Sequence, residues 1–358
     1  MIAMKKILLF LIVALFTLSC DKIDGAKTVD LALISADYEA RDGERLSGIL
    51  SGNYRITIAD GATVTLHNAV IYGVNESEYS WAGVTAHGDA TLVLAGNNIV
   101  RGFDAGSPGI LVPQGKTLTI TGDGKLDASS NGYAPGIGGD NENGGNIVIQ
   151  GGTIRATGGD GAAAIGSLRF RSCGDITISG GTVIAEGGDS AAGIGCGHMA
   201  TCGNISISGG DVSSRGGIDA AGIGSGCGVD DDEDEDDVFP SVCGDITISG
   251  GTVTVHGHSI LAAAAIGSGV NSRCGNILIS GGTITAEGGY KSAGIGTSER
   301  GSVGTITITN GVTQVTAKKW DEKTPHSIGG GVDYFSIGTV TVGGKVGSVS
   351  ESPFVYKP

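Results

Sequence analysis

The stretch SCGDITISGGTVIAEGGDSAAGIGCG, residues 172–197, decides the fold. Ile176 and Ile178 alternate with Thr177 and Ser179; beyond Gly180-Gly181, Val183 and Ala185 alternate with Ile184 and Glu186. Period-two alternation marks half-buried strands, and paired glycines mark corners where the chain needs positive φ or a close backbone approach. A third short segment, AAGIG at 191–195, completes the unit.

The unit recurs on both sides, as GGNIVIQGGTIRATGG (144–159), CGNISISGGDVSSRGG (202–217), CGDITISGGTVTVHGH (243–258) and CGNILISGGTITAEGG (274–289). Equivalent positions Asn146, Asp175, Asn204, Asp245, Asn276 and Thr305 are spaced by 29, 29, 41, 31 and 29 residues. Periods of this size belong to solenoids, propellers or arrays. Propeller blades need four strands, whereas each unit here supplies three segments, so the repeats coil rather than fan out. The third segment adds an apolar column: Val84, Ile110, Ile137, Ile165, Ile194, Ile223, Ile266, Ile295 and Ile328. Weaker copies at 61–73, 88–102 and 115–129 carry the array toward the amino end.

The sequence thus predicts an all-β chain, a single right-handed parallel β-helix solenoid of about ten coils with end caps, on the order of 50 Å long at about 4.8 Å per coil. Residues 1–20 read as a lipoprotein-type signal peptide, 21–26 as a linker, 27–60 as an amino-terminal cap, 61–342 as β-helix repeats with an acidic insertion at 229–240, and 343–358 as a carboxy-terminal cap. In the leader, Lys5 and Lys6 precede an apolar run, Ile7 to Phe16, too short to span a bilayer. TLSC then ends at Cys20, which resembles a bacterial lipoprotein box, although Thr17 stands where that family prefers leucine. The resemblance implies lipidation of Cys20, with membrane attachment through that anchor alone; ordinary signal cleavage nearby is the alternative. Either route predicts an extracytoplasmic protein, and the lipoprotein reading places it in the cell envelope, at the outer membrane or cell surface. The net charge of −15 excludes a protein built to grip nucleic acid, which needs clustered lysine and arginine.

The ISGGTITAEGG and AAGIG repeats resemble those of bacterial right-handed parallel β-helix surface proteins of the pectin-lyase-like kind, closest to the non-catalytic carbohydrate-binding type. The resemblance implies a partner that is a polysaccharide or glycoconjugate; a protein-binding adhesin or structural surface rod is the alternative, since one fold hosts many functions. A polysaccharide lyase or hydrolase is a further alternative. Against it, the Asn-Thr-Asp, paired Asp, His-Gly and Arg-Ile-Lys elements of β-helix polygalacturonases do not assemble here, and Arg169 and Arg171 lack recognisable carboxylate partners for lyase chemistry. The reading leans against an enzyme and names no catalytic residue.

Four aromatic residues, Tyr79, Trp81, Phe103 and Tyr133, fall in one corner column of three successive coils and are the carbohydrate-binding candidates, because flat rings bury against sugar rings. The Asn146–Asn276 column reads as a structural ladder in which amides donate to neighbouring carboxylates. The outward column Glu186, Arg215, His256 and Glu287 reads as lateral charge pairing. His256 and His258 lack a third metal ligand at a telling spacing. Cys173, Cys202, Cys243 and Cys274 should stack in one column within disulfide reach; inert stacked thiols are one outcome, and if bridges form, neighbours such as Cys173 with Cys202 and Cys243 with Cys274 are expected, leaving Cys196 and Cys227 near the insertion. The insertion's eight consecutive acids, Asp230 to Asp237, read as a solvated protrusion. Asp230, Asp231, Asp232 and Asp234 are weak candidates for calcium, and no other cofactor is expected.

Overall fold

The computed structural model describes residues 27–230, 238–258, 262–333 and 335–358. The leader with Cys20, and the acids Asp231, Asp232 and Asp234, lie outside them. The described chain is all-β apart from a single 3-10 turn at Leu31–Leu33, and it winds into a parallel β-solenoid of about nine turns, close to the expected ten.

Three ladders run along the solenoid. The broad one holds 20 strands and contains both halves of the quoted repeat; the second holds 11, most of them Ile-Gly pairs; the third is a run of five short strands bearing the cysteines. Stacking is in register throughout the repeats. Ile147, Ile176, Ile205, Ile246, Ile277 and Ile306 form one column, and Ile154, Val183, Val212, Val253, Ile284 and Val315 form the next. The third-segment column runs unbroken from Val84 to Ile328. All three columns are buried and meet in one core, each side chain contributing about 1.5–3 kcal/mol by leaving water.

The glycines of the Ile-Gly pairs explain why the coils close up. Gly195 and Gly224 adopt φ of 134° and 138°, and a Cβ added to either would lie 2.0 and 1.9 Å from the carbonyl oxygen of the equivalent glycine one coil on. Gly181 and Gly210, at φ 82° and 89°, turn the corner between the two strands of the broad ladder, where no side chain fits the backbone conformation without strain.

The polar column stacks as expected but bonds differently. Asn146 Oδ1 accepts the Asp175 N–H at 2.9 Å, Asp175 accepts the Asn204 N–H at 2.7 Å, and the pattern continues through Asp245, Asn276 and Thr305. Side chains therefore satisfy backbone donors where the strands begin. The one amide-to-carboxylate bond among these residues runs from Asn276 Nδ2 to Asp245 Oδ1.

At the ends, parallel pairing begins earlier than the expected cap boundary: Thr28–Asp30 already pairs with Arg45–Ile49, and Tyr38–Ala40 with Ile56–Ile58. At the carboxy end, Lys345–Val346 and Phe354–Tyr356 pair antiparallel with the last coils, a reversal of direction that ends the parallel stack. The acidic insertion leaves and returns through a hairpin stem, Val229–Asp230 against Val238–Phe239. The cysteine column forms, with Cys202, Cys243 and Cys274 in register and Cys173 beside the Ser172–Thr201 bridge. Neither the Cys173–Cys202 nor the Cys243–Cys274 bridge is present: the six cysteines among the described residues are free, the stacked-thiol alternative, and Cys196 Sγ lies 2.7 Å from Cys202 Sγ.

Glu44 ties the first coils together. Its carboxylate, 6% exposed, receives Lys27 Nζ at 2.8 Å, Tyr38 Oη at 2.7 Å and the Arg41 N–H at 3.1 Å. Burial by itself would raise its pKa, yet these three donors together hold it below the usual carboxylate range. A depressed carboxylate pKa gives stability that is present above the unfolded value and lost as pH falls through the folded one. Thermal melts should therefore fall as pH drops below about 4, and Glu44→Gln should flatten that loss; an unchanged acid limb would exclude Glu44 as its source. Gly224→Ala is expected to destabilise by about 2 kcal/mol or more, from the positive φ and the carbonyl clash combined, read as a lower denaturant midpoint. A neutral result would show that the coils can separate at this column.

Candidate functional site

The aromatic corner assembles, but inward. Trp81 sits 5.6 Å from Phe103 and 5.3 Å from Tyr79, centroid to centroid. Phe103 is completely buried, and Tyr79 and Trp81 pack on the core. Arg55 covers the Trp81 ring at 4.8 Å. Phe103 is thus corrected from sugar contact to core packing: fully buried, it has no face open to a ligand, while Tyr79 and Trp81 stay half-buried, Trp81 edge-on to Tyr79 and tilted against Phe103. Tyr133 remains 42% exposed, its N–H bonded to the Ala105 carbonyl, apart from the ring cluster.

A different surface combines an exposed ring with polar groups. Along the outer edge of the broad ladder, Thr157, Glu186, Arg215, His256, Glu287 and Lys318 stack in register. Each is followed in sequence by a glycine pair, or by Gly257-His258 at the His256 rung, until the last, where Lys319 and Trp320 occupy the places of Gly288 and Gly289. Rows without side chains leave a trough beside the column, and Trp320 closes its end. Two adjoining concavities of about 220 and 600 Å³ share Arg215 and His256: the smaller reaches Lys318, Lys319 and Trp320, the larger Glu186, Asp189 and His258.

The expected lateral pairing forms within this column only between His256 and Glu287; Glu186 turns instead to Arg155, outside the column, and no Glu186–Arg215 pair is made. Arg155 Nη2 contacts both Glu186 carboxylate oxygens at 3.2 Å, and His256 Nδ1 stands 3.5 Å from Glu287 Oε2. Arg215 and Lys318 are exposed and, among the described residues, make no ion pair. Trp320 is 45% exposed. The turn beyond it is fixed by Asp321, whose Oδ1 accepts from the Lys323 and Thr324 N–H groups and the Thr324 hydroxyl. These donors outweigh a burial effect of opposite sign and hold the Asp321 carboxyl below its usual range. The trough therefore offers one aromatic face and two exposed cations without an ion pair among the described residues, with the half-buried Lys319 beside them. Two of its carboxylates, Glu186 and Glu287, are already engaged and a third stands at Asp189, a set that suits hydrogen bonding and stacking to an extended polar ligand.

The charged column was legible in the sequence, but Lys318, Lys319 and Trp320 were not singled out. The signal was available: TAKKW at 316–320 aligns with TAEGG at 285–289, and Lys319 with Trp320 stands where four of the five preceding rungs carry a glycine pair.

These features define a parallel β-helix protein built from stacked repeats. The family model for the beta helix repeat matches residues 118–141, 147–167, 176–198, 205–227, 246–270 and 277–299, which are the in-register coils described above, and such repeats fit a pectin-lyase-like fold. No curated protein and no solved structure matches the chain significantly.

Because Trp81 bridges Phe103 and Arg55, Trp81→Ala should lower stability by roughly 2–3 kcal/mol, measured by denaturant unfolding. A change within about 0.5 kcal/mol would mean that the ring is surface decoration.

Proposed function

We propose that this chain is an exported, lipid-anchored, non-catalytic β-helix protein of the cell envelope that binds a polysaccharide or glycoconjugate along the trough from Glu186 to Trp320. The observation that carries the reading is the combination of Trp320 with the trough: an exposed ring at the end of a groove crossing several coils, with Arg215 and Lys318 exposed along it. A chain of sugars repeats along its length as the coils do, so weak contacts at successive rungs add through multivalency. The two cations favour a polymer that bears carboxylate or sulfate groups, and salt should then weaken retention. The export and anchoring parts rest on the leader, Lys5 and Lys6, the apolar run and Cys20.

The test is retention on affinity gels of neutral and acidic polysaccharides. Trp320→Ala is expected to weaken retention about five-fold or more, equivalent to about 1 kcal/mol, with an unchanged circular dichroism spectrum. Arg215→Ala together with Lys318→Ala should remove most of the salt dependence. Retention that survives all three substitutions would move the site elsewhere; release of new reducing ends from the gel would overturn the non-catalytic assignment.

A further inference from the structure

Behind five of the seven Ile-Gly pairs stands a small, fully buried side chain: Ser167, Ser225, Ser268 and Thr297 in four coils, but Cys196 in the coil between Ser167 and Ser225; the first and last pairs are followed by Gly139 and Gly330. Three of the four hydroxyls share a task, Ser268 being without a partner. Ser167 accepts the Gly197 N–H at 2.9 Å, Ser225 the Gly269 N–H at 3.0 Å and Thr297 the Gly331 N–H at 2.9 Å, each from the coil that follows. Replacing oxygen by sulfur at this one rung is unnecessary for stacking, since serine serves the coils on either side.

The exception falls where it meets the cysteine column. Cys196 Sγ lies 2.7 Å from Cys202 Sγ, and the sulfurs of Cys196, Cys202 and Cys243 all lie within 4.8 Å of one another, each residue buried. Among the described residues this is the one group of three or more side chains able to converge on a metal ion. We propose that Cys196, Cys202 and Cys243 form a three-sulfur site for one thiophilic cation with a filled d shell, of the class that contains Cu(I), Zn(II) and Cd(II).

With metal–sulfur bonds of about 2.3 Å, sulfurs around one cation stand roughly 3.8–4.0 Å apart. The three sulfurs lie within 4.8 Å of one another, so small side-chain shifts reach that geometry, the Cys196–Cys202 pair opening from 2.7 Å. Binding exchanges thiol protons, released to solvent, for metal–thiolate bonds, with no change in oxidation state. The cation offsets thiolate charge that a dry interior would not otherwise hold. Three soft donors without a carboxylate select against calcium and magnesium. The site is independent of the trough and of any glycan.

Nature supplies conservative replacements within the same columns: Ser167 and Ser225 model Cys196→Ser, and Val303, in register beyond Cys274, models Cys243→Val. The full chain, reduced and desalted without air, would be titrated with Cd(II), following the ultraviolet sulfur-to-metal charge-transfer band, and with Cu(I) in competition with a chromophoric chelator. One equivalent per chain is expected, with a raised melting temperature. Cys196→Ser and Cys243→Val should each weaken binding ten-fold or more while circular dichroism stays unchanged, whereas Cys227→Ala should bind as the parent does. No charge-transfer band in the reduced, folded protein would overturn the site, as would undiminished binding by both column variants.

Discussion

Everything in this molecule depends on how closely one coil can lie on the next. Parallel strands hydrogen-bond at about 4.8 Å, and in the Ile-Gly ladder the carbonyl of one glycine occupies the space where the Cβ of its neighbour would stand, 1.9–2.0 Å away. That approach is open to glycine alone, and it repeats at Gly166, Gly195, Gly224, Gly267 and Gly296. Once the backbones are that close, each isoleucine lies directly on its equivalent, and the core becomes a set of columns instead of an irregular packing of unlike residues.

The same spacing dictates how polar groups are handled. A narrow coil has many strand ends, and each end leaves backbone donors without a ladder partner. The Asn/Asp column answers this with one side-chain oxygen per coil accepting the next coil's N–H at 2.7–2.9 Å. Amide and carboxylate do this equally well, which is why both occur there. Ser167, Ser225 and Thr297 play a similar part at the opposite ladder.

In such a lattice, chemistry concentrates where the repeat is broken. Lys319 and Trp320 replace a glycine pair and wall off a trough that the other coils leave open. Cys196 replaces a serine and brings a third sulfur to a column already lined with them. In both cases the surrounding coils supply the rigid frame, and one substituted position supplies the groups on which the proposed role rests.

Period and alternation alone settled the solenoid, its three segments per coil and the columns of isoleucine, asparagine and cysteine, because each coil sees the same neighbours and repeats the same residue types. Direction and depth were left to the tertiary structure. Tyr79, Trp81 and Phe103 share a corner in sequence, yet only packing decides that the rings turn against the core and one another. Cys196 and Cys202 lie on two short segments of one coil joined by a local turn, and stacking of the next coil brings Cys243 to them; which way the three sulfurs point is decided only by the folded backbone. Trp320 likewise becomes part of a site only because five stacked rungs lead up to it. The sequence determines what repeats, whereas contacts between different segments of a coil depend on how tightly it closes, and that is a property of the folded backbone.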